Sequence, residues 1–353
     1  MIEDMALSLE TRQLASTETS NAPSLPRQLA ELAPQFPVLF ATTPQAAKGF
    51  IDFFTATIRN RNTRRAYFKA ANRFSEWCKA RGLDDLARLQ TLHISAYVEE
   101  MQNDHSAPTV KQHLAALRML FDWLVVQQVM PTNPAHPVRG PKHSVRKGKT
   151  PVLTVEETRL LLDSILTVKK SEDETEETVL LTGLRDRALI ALMVYTFARV
   201  GAAVKMRVED YFIQGRKGWV RLYEKGSKVS SLPCHHRLDE MLEEYLSKAG
   251  ISKDAKGWIF RTAANKSGTA LTDRPMCQQD VHAMIRRRAA AAGIKTKIGC
   301  HTFRATGITA YLKNGGRLEV AQQMANHESS RTTGLYDRRG DDVSLDEVER
   351  IVI

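Results

Sequence analysis

Apolar residues recur with helical spacing between residues 45 and 130. One apolar face ends at Gly82, a residue that commonly terminates helices, and it consists of Tyr67, Ala70, Phe74, Trp77 and Cys78. A second apolar stripe follows Pro108 and Thr109 and consists of Val110, Leu114, Leu117, Phe121 and Leu124. Amphipathic helices bury such faces against each other, so this region is predicted to be a small helical bundle.

The segments on either side of this bundle differ from it in composition. Residues 1–44 are rich in Ser, Thr, Ala and Pro and show no sustained period, which predicts a flexible N-terminal arm. Residues 131–151 hold five prolines among basic residues, which predicts an extended cationic linker. Such a linker can cross a groove of a duplex and neutralise phosphates, or it can be an ordinary tether between domains.

A second domain is predicted over residues 152–340. It opens with Thr154-Val155-Glu156-Glu157, the pattern of a capping box at the start of a helix. The stretch 184–198 predicts a largely apolar helix, and the stretches 219–223 and 229–232 predict short strands around a turn at Gly226. The fold class is therefore predicted to be α+β, mostly helical with a small β-sheet.

The last stretch, residues 341–353, begins acidic and carries apolar residues at helical spacing. These residues are Leu345, Val348 and Val352. A short terminal helix with an apolar face is expected, and packing within the chain would cover that face.

Charge points to a polyanionic partner. In 353 residues, 51 Lys and Arg oppose 40 Asp and Glu, which gives a formal net charge of +11 and a pI near 9.5. Nucleic acid is the leading candidate, because no basic amphipathic anchor or lipidation signal favours a membrane surface. No apolar run approaches the ~18 residues of a membrane span, and the N-terminus lacks a signal-peptide pattern. A soluble, cytoplasmic protein is expected.

The four cysteines predict neither disulfides nor a zinc site. Cys78, Cys234, Cys277 and Cys300 are scattered without a C-x-x-C pair, as is usual for reduced thiols in the cytosol. Cys234-His235-His236 has metal-binding residue types, but no further ligands stand at a suitable spacing. No metal and no cofactor are therefore predicted.

Several basic residues are candidates for contacts with DNA phosphates. Arg65, Lys69 and Arg73 recur every four residues on one helix face, and a solvated charged face is the alternative explanation. The remaining candidates lie beside the second apolar stripe, in the linker and after the predicted turn: Lys111, Arg118, Lys142, Arg146, Lys147 and Lys228.

Six residues in the second domain carry the candidate chemistry: Arg199, Lys225, His301, Arg304, His327 and Tyr336. Each alone is ordinary. An H-x-x-R pair such as His301 and Arg304 is common on helix surfaces, a lone Arg199 can be an ion-pair partner, and Tyr336 can be an amphipathic surface tyrosine.

The order and spacing of the whole set resemble the tyrosine recombinase family, also called phage integrases, over about residues 45–340. The resemblance rests on five blocks: Thr196-Phe197-Ala198-Arg199, Glu224-Lys225-Gly226-Ser227-Lys228, His301-Thr302-Phe303-Arg304, Met324-Ala325-Asn326-His327, and Thr332-Thr333 followed by Tyr336. The sequence departs from the family pattern in two places. Ala202 stands where the family has an acidic residue three positions after the first arginine, and Ala325-Asn326 replaces the usual Leu-Gly.

The resemblance implies a metal-independent enzyme. Tyr336 would attack a backbone phosphate and leave a 3′-phosphotyrosyl bond and a free 5′ hydroxyl, which conserves the ester for resealing. Arg199 and Arg304 would grip the phosphate, His301 and His327 would add donors, His301 would serve as base, and Lys225 would protonate the leaving oxygen. Neither ATP nor a metal ion is implied.

The resemblance also implies an architecture and partners. The helical bundle would be a SAM-like core-binding domain that forms, with the catalytic domain, a C-shaped clamp around specific double-stranded sites. A homo-oligomer is implied, with a dimer on each site and a tetrameric synapse in which the tail 341–353 would dock on a neighbouring protomer instead of within its own chain. A partner recombinase or accessory protein is possible. The implied role is integration, excision or resolution of DNA, as in mobile genetic elements, in a prokaryotic, nucleoid-associated setting.

Two other functions stay open at this point. A type IB topoisomerase-like relaxing enzyme would use a similar tyrosine and basic residues, and analysis of the DNA products separates it from a recombinase. A DNA-binding protein without catalysis is the second alternative, for which Ala202 is the one hint.

Overall fold

The chain forms two compact units that divide between Ser144 and Val145. The structure, a computed structural model, describes residues 36–144, 148–170, 176–224 and 228–337. Each unit has its own apolar core. The prediction of an α+β fold, mostly helical with a small β-sheet, is confirmed, and the described strands form three small sheets. Within the described part of the chain, no helix is long and apolar enough to cross a membrane.

Four α-helices build the described part of the first unit. They are α1 Pro44–Asp52, α2 Arg61–Lys79, α3 Thr91–Asp104 and α4 Ala107–Val126. Helix α2 begins where the side chain of Asn60 accepts hydrogen bonds from the backbone N–H groups of Asn62 and Thr63, which satisfies two of the free donors at a helix start. The two apolar stripes predicted from the sequence lie on α2 and α4 and pack into one core.

Aromatic rings fill much of this core. Phe50 stacks on Phe40 with ring centroids 4.8 Å apart, and Phe74 meets Tyr97 edge-to-face at 5.0 Å. Such tilted and offset pairs add to the stabilisation from buried apolar area. The bundle is therefore held by ring packing that spans all of its helices.

The prediction of a flexible N-terminal arm over residues 1–44 is wrong for residues 36–44. Phe36, Leu39 and Phe40 are buried in the first core, and residues 38–40 form a turn of 3₁₀ helix before α1. Leu39 donates its backbone N–H to the hydroxyl of Ser75 on α2 at 3.1 Å. The composition of the whole stretch concealed three large apolar side chains at its end. The rest of the predicted arm, residues 1–35, lies outside the described residues.

The predicted linker, residues 131–151, is also partly integrated into the first unit. Ala135 and Val138 are buried in its core. The guanidinium of Arg118 on α4 donates to the carbonyls of both residues, at 3.2 Å to Ala135. Arg118 was predicted to contact DNA, but its half-buried side chain instead holds this segment on the bundle. The proline-rich composition of the segment did not indicate that Ala135 and Val138 pack into the core of the first unit.

The second unit surrounds one almost wholly buried helix. Its helices are α5 Val155–Asp163, α6 Leu181–Tyr195, α7 Val200–Ala203, α8 His236–Lys248, α9 Gln278–Ala291, α10 Cys300–Lys313, α11 Leu318–Met324 and α12 Ser330–Gly334. The apolar stretch predicted near residues 184–198 forms α6, which packs against α8 and α10. The capping box at Thr154 and Glu157 is present, with reciprocal bonds of 3.1 and 2.9 Å.

Seven short strands complete the described part of the second unit, in three antiparallel sheets. They are β1 Val168–Lys170, β2 Glu177–Val179, β3 Tyr211–Gln214, β4 Lys217–Tyr223, β5 Val229–Pro233, β6 Arg261–Ala263 and β7 Leu271–Pro275. The largest sheet has the order β3-β4-β5. Tyr223 pairs with Val229 at the last rung of the β4–β5 hairpin, directly before the turn. This hairpin matches the two strands predicted from the sequence.

We predict that Phe40→Ala destabilises the first unit by about 3–5 kcal/mol, because it removes a fully buried ring from the aromatic core. Chemical denaturation of the full chain, followed by tryptophan fluorescence and circular dichroism, measures the change. Val38→Ala is the matched control in the same helical turn, since Val38 is 50% exposed. Equal stability of the two variants would show that residues 36–44 do not belong to this core.

Candidate active site

Four elements of the second unit bring five of the predicted residues together. Arg199 precedes α7, and His301 and Arg304 lie one turn apart on α10. His327 follows α11 and Tyr336 follows α12. Arg304 and Arg199 both act on the pKa values of His301, His327 and Tyr336, as expected for one electrostatic cluster.

A hydrogen bond of 2.7 Å joins Nε2 of His301 to the hydroxyl of Tyr336. Partial burial of its ring, then Arg304 and Arg199, lowers the pKa of His301, so the ring is neutral near pH ~7. Burial raises the pKa of Tyr336, while Arg304 and Arg199 lower it in part. The pair therefore consists of a protonated phenol beside a neutral imidazole, which is the arrangement in which the imidazole can take the phenolic proton.

Arg304 is a buried cation with 1% exposure. Its Nη1 donates to the carbonyl of Phe197 and its Nη2 to the carbonyl of Ala325. Burial lowers the pKa of Arg304 to about 10, so the group stays charged at neutral pH. Among the described residues its Nε has no hydrogen-bond partner. A buried cation with a free donor is suited to receive an anion.

His327 lies against the other side of the tyrosine. Its ring is nearly parallel to that of Tyr336, with an angle of 11° and centroids 6.0 Å apart. Its Nδ1 lies 2.9 Å from the hydroxyl of Thr333, which is fully buried. Burial, followed by the influence of Arg304, lowers the pKa of His327 to about 4. His327 is therefore neutral in the absence of a bound anion.

Ala325-Asn326, which replaces the family's Leu-Gly, still forms a tight turn at the end of α11. Asn326 has φ of 50°, in the left-handed region that a glycine occupies most easily and that asparagine tolerates better than most other residues. His327 donates its backbone N–H to Gln322 at 3.1 Å and Asn326 donates to Gln323 at 3.0 Å, the paired bonds of a Schellman motif that ends α11. His327 thus leaves the helix in a fixed direction.

The segment that carries Tyr336 is held from two sides. The hydroxyl of Thr309 on α10 donates to the carbonyl of Tyr336 at 3.0 Å. The backbone N–H of Gly148 donates to the carbonyl of Leu335 at 3.0 Å. The ring of Tyr336 packs in a small core with Phe197, Ala305 and Ala325. These contacts fix the phenol at the end of a short helix.

Arg199 is paired with a residue that sequence reasoning missed. Nη1 of Arg199 donates to Oε2 of Glu224 at 2.6 Å, and the Glu224 side chain is 4% exposed. In the sequence pattern Glu224 is only the first residue of the predicted turn motif that contains Lys225. Ala202 could have indicated its role, because it leaves Arg199 without the acid that the family pattern has three positions later.

Lys225 lies outside the described residues, as do Arg146 and Lys147. The backbone N–H of Glu224 donates to the carbonyl of Lys228 at 2.8 Å and so closes the base of the turn. Lys228 is exposed, and its Nζ lies 3.3 Å from Oε1 of Glu328, beside His327. The exposed ion pair joins the hairpin to the segment that follows α11.

The other candidate DNA contacts lie in the first unit. Arg65 and Lys69 are exposed on α2, and Lys111 and Lys142 are also exposed. Arg73 is half-buried, with Nη1 at 2.7 Å from Nε2 of His105. Of the three basic residues spaced four apart on α2, Arg65 and Lys69 are therefore exposed, and Arg73 contacts the residue that follows α3.

Cys234-His235-His236 serves the start of α8. Nδ1 of His235 accepts the backbone N–H of Arg237 at 3.3 Å, and the His235 ring stacks on Tyr195 at 4.3 Å. Among the described residues, no three His, Cys, Asp or Glu side chains are grouped so that they could hold a metal ion.

We predict that Gly148→Ala destabilises the second unit by about 1–3 kcal/mol, because the new Cβ would lie 2.5 Å from the carbonyl oxygen of Leu335. Because the clash is with a backbone oxygen, no side-chain rotation can relieve it, and either the segment that carries Tyr336 or the segment at Gly148 must move. Gly334→Ala is the matched control, since a Cβ there meets nothing within 4 Å. Denaturant unfolding of both variants provides the test, and a Gly148→Ala protein as stable as the control would contradict the close approach.

We predict that the second unit loses stability as the pH falls from ~7 toward 4. The pKa of His327 is about 4 in the folded chain and about 6.5 in an unfolded one. Between these values the unfolded state binds more protons, so the free energy of unfolding falls on acidification, by at most about 1.4 kcal/mol per pH unit from this residue.

His327→Gln removes this titration and retains a hydrogen-bonding group for Thr333. Denaturant titrations at several pH values should therefore give a shallower pH dependence for His327→Gln than for the wild type. The lowered pKa of His301 leaves part of the slope in place. Identical slopes in the two proteins would refute the buried neutral state of His327.

Known proteins show the same combination of elements. Residues 160–341 match the model of the phage integrase family, and residues 48–130 match that of the N-terminal SAM-like domain of phage integrases. The tyrosine recombinase XerD of Corynebacterium glutamicum is 28% identical over 283 residues, which covers 78% of this chain and 86% of the relative.

Two solved structures share the fold. The XerH site-specific recombinase bound to difH substrate superposes with a TM-score of 0.60 at 17% identity and covers 99% of this chain and 95% of that chain. A lambda integrase tetramer bound to a Holliday junction has a TM-score of 0.60 at 18% identity, and the match covers 85% of this chain and 79% of that chain. The family match spans more than half of the 353 residues. The resemblance drawn from the sequence is therefore confirmed, and the chain belongs to the phage integrase family.

Proposed function

We propose that this chain is a site-specific DNA recombinase that cuts and rejoins strands through a covalent bond between Tyr336 and a backbone phosphate. The 2.7 Å hydrogen bond between His301 and Tyr336, beside two arginines, carries the proposal. A nucleophile, a base and cationic groups for a phosphate are the parts that metal-independent phosphoryl transfer requires.

In the proposed reaction the Tyr336 oxygen attacks the scissile phosphorus while its proton passes to Nε2 of His301. The bond from phosphorus to the 5′ oxygen breaks, and that oxygen takes a proton from Lys225. The product is a 3′-phosphotyrosyl ester and a free 5′ hydroxyl. Attack by a 5′ hydroxyl of another strand reverses these steps and joins the new partner, so no external energy source is needed.

The cationic groups would stabilise the charge that develops on the non-bridging oxygens. Arg199 is partly exposed and keeps donors beyond the one used on Glu224. Arg304 is buried and has a free Nε among the described residues. The neutral His327 can become a second donor when a phosphate raises its affinity for a proton. Arg65, Lys69, Lys111 and Lys142 would hold flanking phosphates, and Lys228 would do so after leaving Glu328.

The oligomeric part of the proposal follows the solved relatives, one of which is a tetramer on a Holliday junction. We propose a dimer on each double-stranded site and a tetramer when two sites exchange strands. Residues 341–353, which lie outside the described residues, would supply an apolar helix for contact between protomers. The relatives, XerD and XerH among them, support recombination over relaxation of supercoils.

Covalent trapping tests the nucleophile. The wild-type chain should become linked to nicked suicide duplexes that carry the flanks of its own gene, in buffer with a metal chelator. Tyr336→Phe should give no linked strand, because the ring remains but the attacking oxygen is gone. Denaturing gels measure the adduct. Tyr311→Phe is the control, since Tyr311 also packs on Phe197 but has no place in the proposed reaction.

An adduct that persists in Tyr336→Phe would overturn the assignment of the nucleophile. A second assay separates the two reaction classes. A recombinase should exchange strands between two sites on one plasmid, whereas a relaxing enzyme should remove supercoils from a plasmid without such sites.

A further inference from the structure

A carboxylate from the β4–β5 hairpin holds the first arginine of the site. Oε2 of Glu224 lies 2.6 Å from Nη1 of Arg199, and Oε1 lies 3.5 Å from the Arg199 backbone nitrogen. The carboxylate is 4% exposed and the Arg199 side chain is 37% exposed. One end of this ion pair is thus fixed inside the protein, while the other faces outward.

The position that should supply this acid is filled by a methyl group. Ala202 stands three residues after Arg199 on α7, and its side chain is buried in the main core of the second unit. Glu224 reaches Arg199 from a different element, 25 residues further along the chain. The negative charge beside the first arginine has therefore moved from a helix to the end of a strand.

The charge is needed because the site concentrates positive groups. Arg199 lowers the pKa of Arg304, and Glu224 raises it, so the carboxylate acts on both arginines. Without Glu224 the repulsion between the two guanidiniums would lack this compensating carboxylate, which is costly for the buried Arg304. A fixed carboxylate on one Nη also restricts the rotation of Arg199 and leaves its other donors directed elsewhere.

The backbone of Glu224 binds the other end of the segment that carries the proposed acid of the reaction. Its N–H donates to the carbonyl of Lys228 at 2.8 Å, and Lys225 is the next residue in the chain. Glu224 therefore binds Arg199 through its side chain and Lys228 through its backbone.

We infer that Glu224 is a positioning residue that replaces the acid absent at Ala202 and fixes the orientation of Arg199. This inference rests on the proposed function, because it assigns Glu224 an effect on strand cleavage. It predicts that Glu224 acts through Arg199 and that its loss slows the chemical step more than it weakens DNA binding.

The test is a double-mutant cycle on the rate of adduct formation in single turnover. Glu224→Gln keeps the size of the side chain and removes its charge, and it should slow cleavage about 100-fold through misplacement of Arg199. The affinity for the same duplex should change by less than about 3-fold. In an Arg199→Ala background the same change should have little further effect, since residues that act as a unit are not additive.

Glu244→Gln is the matched control. Glu244 forms an ion pair of the same 2.6 Å length with Arg187 outside the site, so this variant should cleave at the wild-type rate. Rates are compared at a temperature where circular dichroism shows every variant folded. If Glu224→Gln is unfolded there, Glu224→Asp takes its place in the cycle, because it keeps the charge on a shorter side chain.

The outcomes distinguish a failure of the proposed function from a failure of the positioning role. A wild-type chain that forms no Tyr336 adduct speaks against the proposed function. A wild-type adduct that Glu224→Gln also forms at the full rate overturns only the positioning role. Losses that add in the double variant show that Glu224 does not act through Arg199, and they overturn it as well.

Discussion

The burial of one charged guanidinium organises the site of the second unit. Arg304 is 1% exposed, and its two Nη groups bind the carbonyls of Phe197 and Ala325. Arg199 follows Phe197 by two residues and His327 follows Ala325 by two residues, so a single buried cation fixes the start of both loops. The loops themselves are turned by uncommon backbone conformations, since Phe197 and Asn326 have φ of 57° and 50°. A bulky residue in this region is strained, and the surrounding bonds hold it there.

A consequence of this arrangement is that His301, His327 and Tyr336 are uncharged near neutral pH. Burial and the two arginines lower the pKa values of His301 and His327, while burial raises that of Tyr336. The positive charge that remains resides on the arginines, and Glu224 offsets part of it. A phosphate that enters would complete the compensation and favour the charged form of His327. In the proposed reaction His301 must stay neutral, because it accepts the proton of Tyr336.

Sequence reasoning reached the features that local spacing encodes. The Thr154 capping box, the β4–β5 hairpin and the H-x-x-R pair on α10 need only neighbouring residues to be recognised. It did not reach those that depend on contacts distant in the chain. The docking of Phe40 beneath α2, the role of Arg118 as a brace for Val138, and the pairing of Glu224 with Arg199 join segments that no periodicity relates. Composition predicted a flexible arm and an extended linker at the two edges of the first unit, yet parts of both pack on its core. Burial of a few apolar side chains stabilises such a segment even when most of its residues are small and polar.

The approach of Gly148 to Leu335 has a mechanical meaning. Gly148 stands at the very start of the described part of the second unit, and its backbone hydrogen bond lies one residue before the nucleophile. Because both groups of this bond belong to the backbone, no side-chain rotation can relieve a displacement of Gly148. A shift of Gly148 would therefore act on the peptide directly before the phenol that would attack DNA.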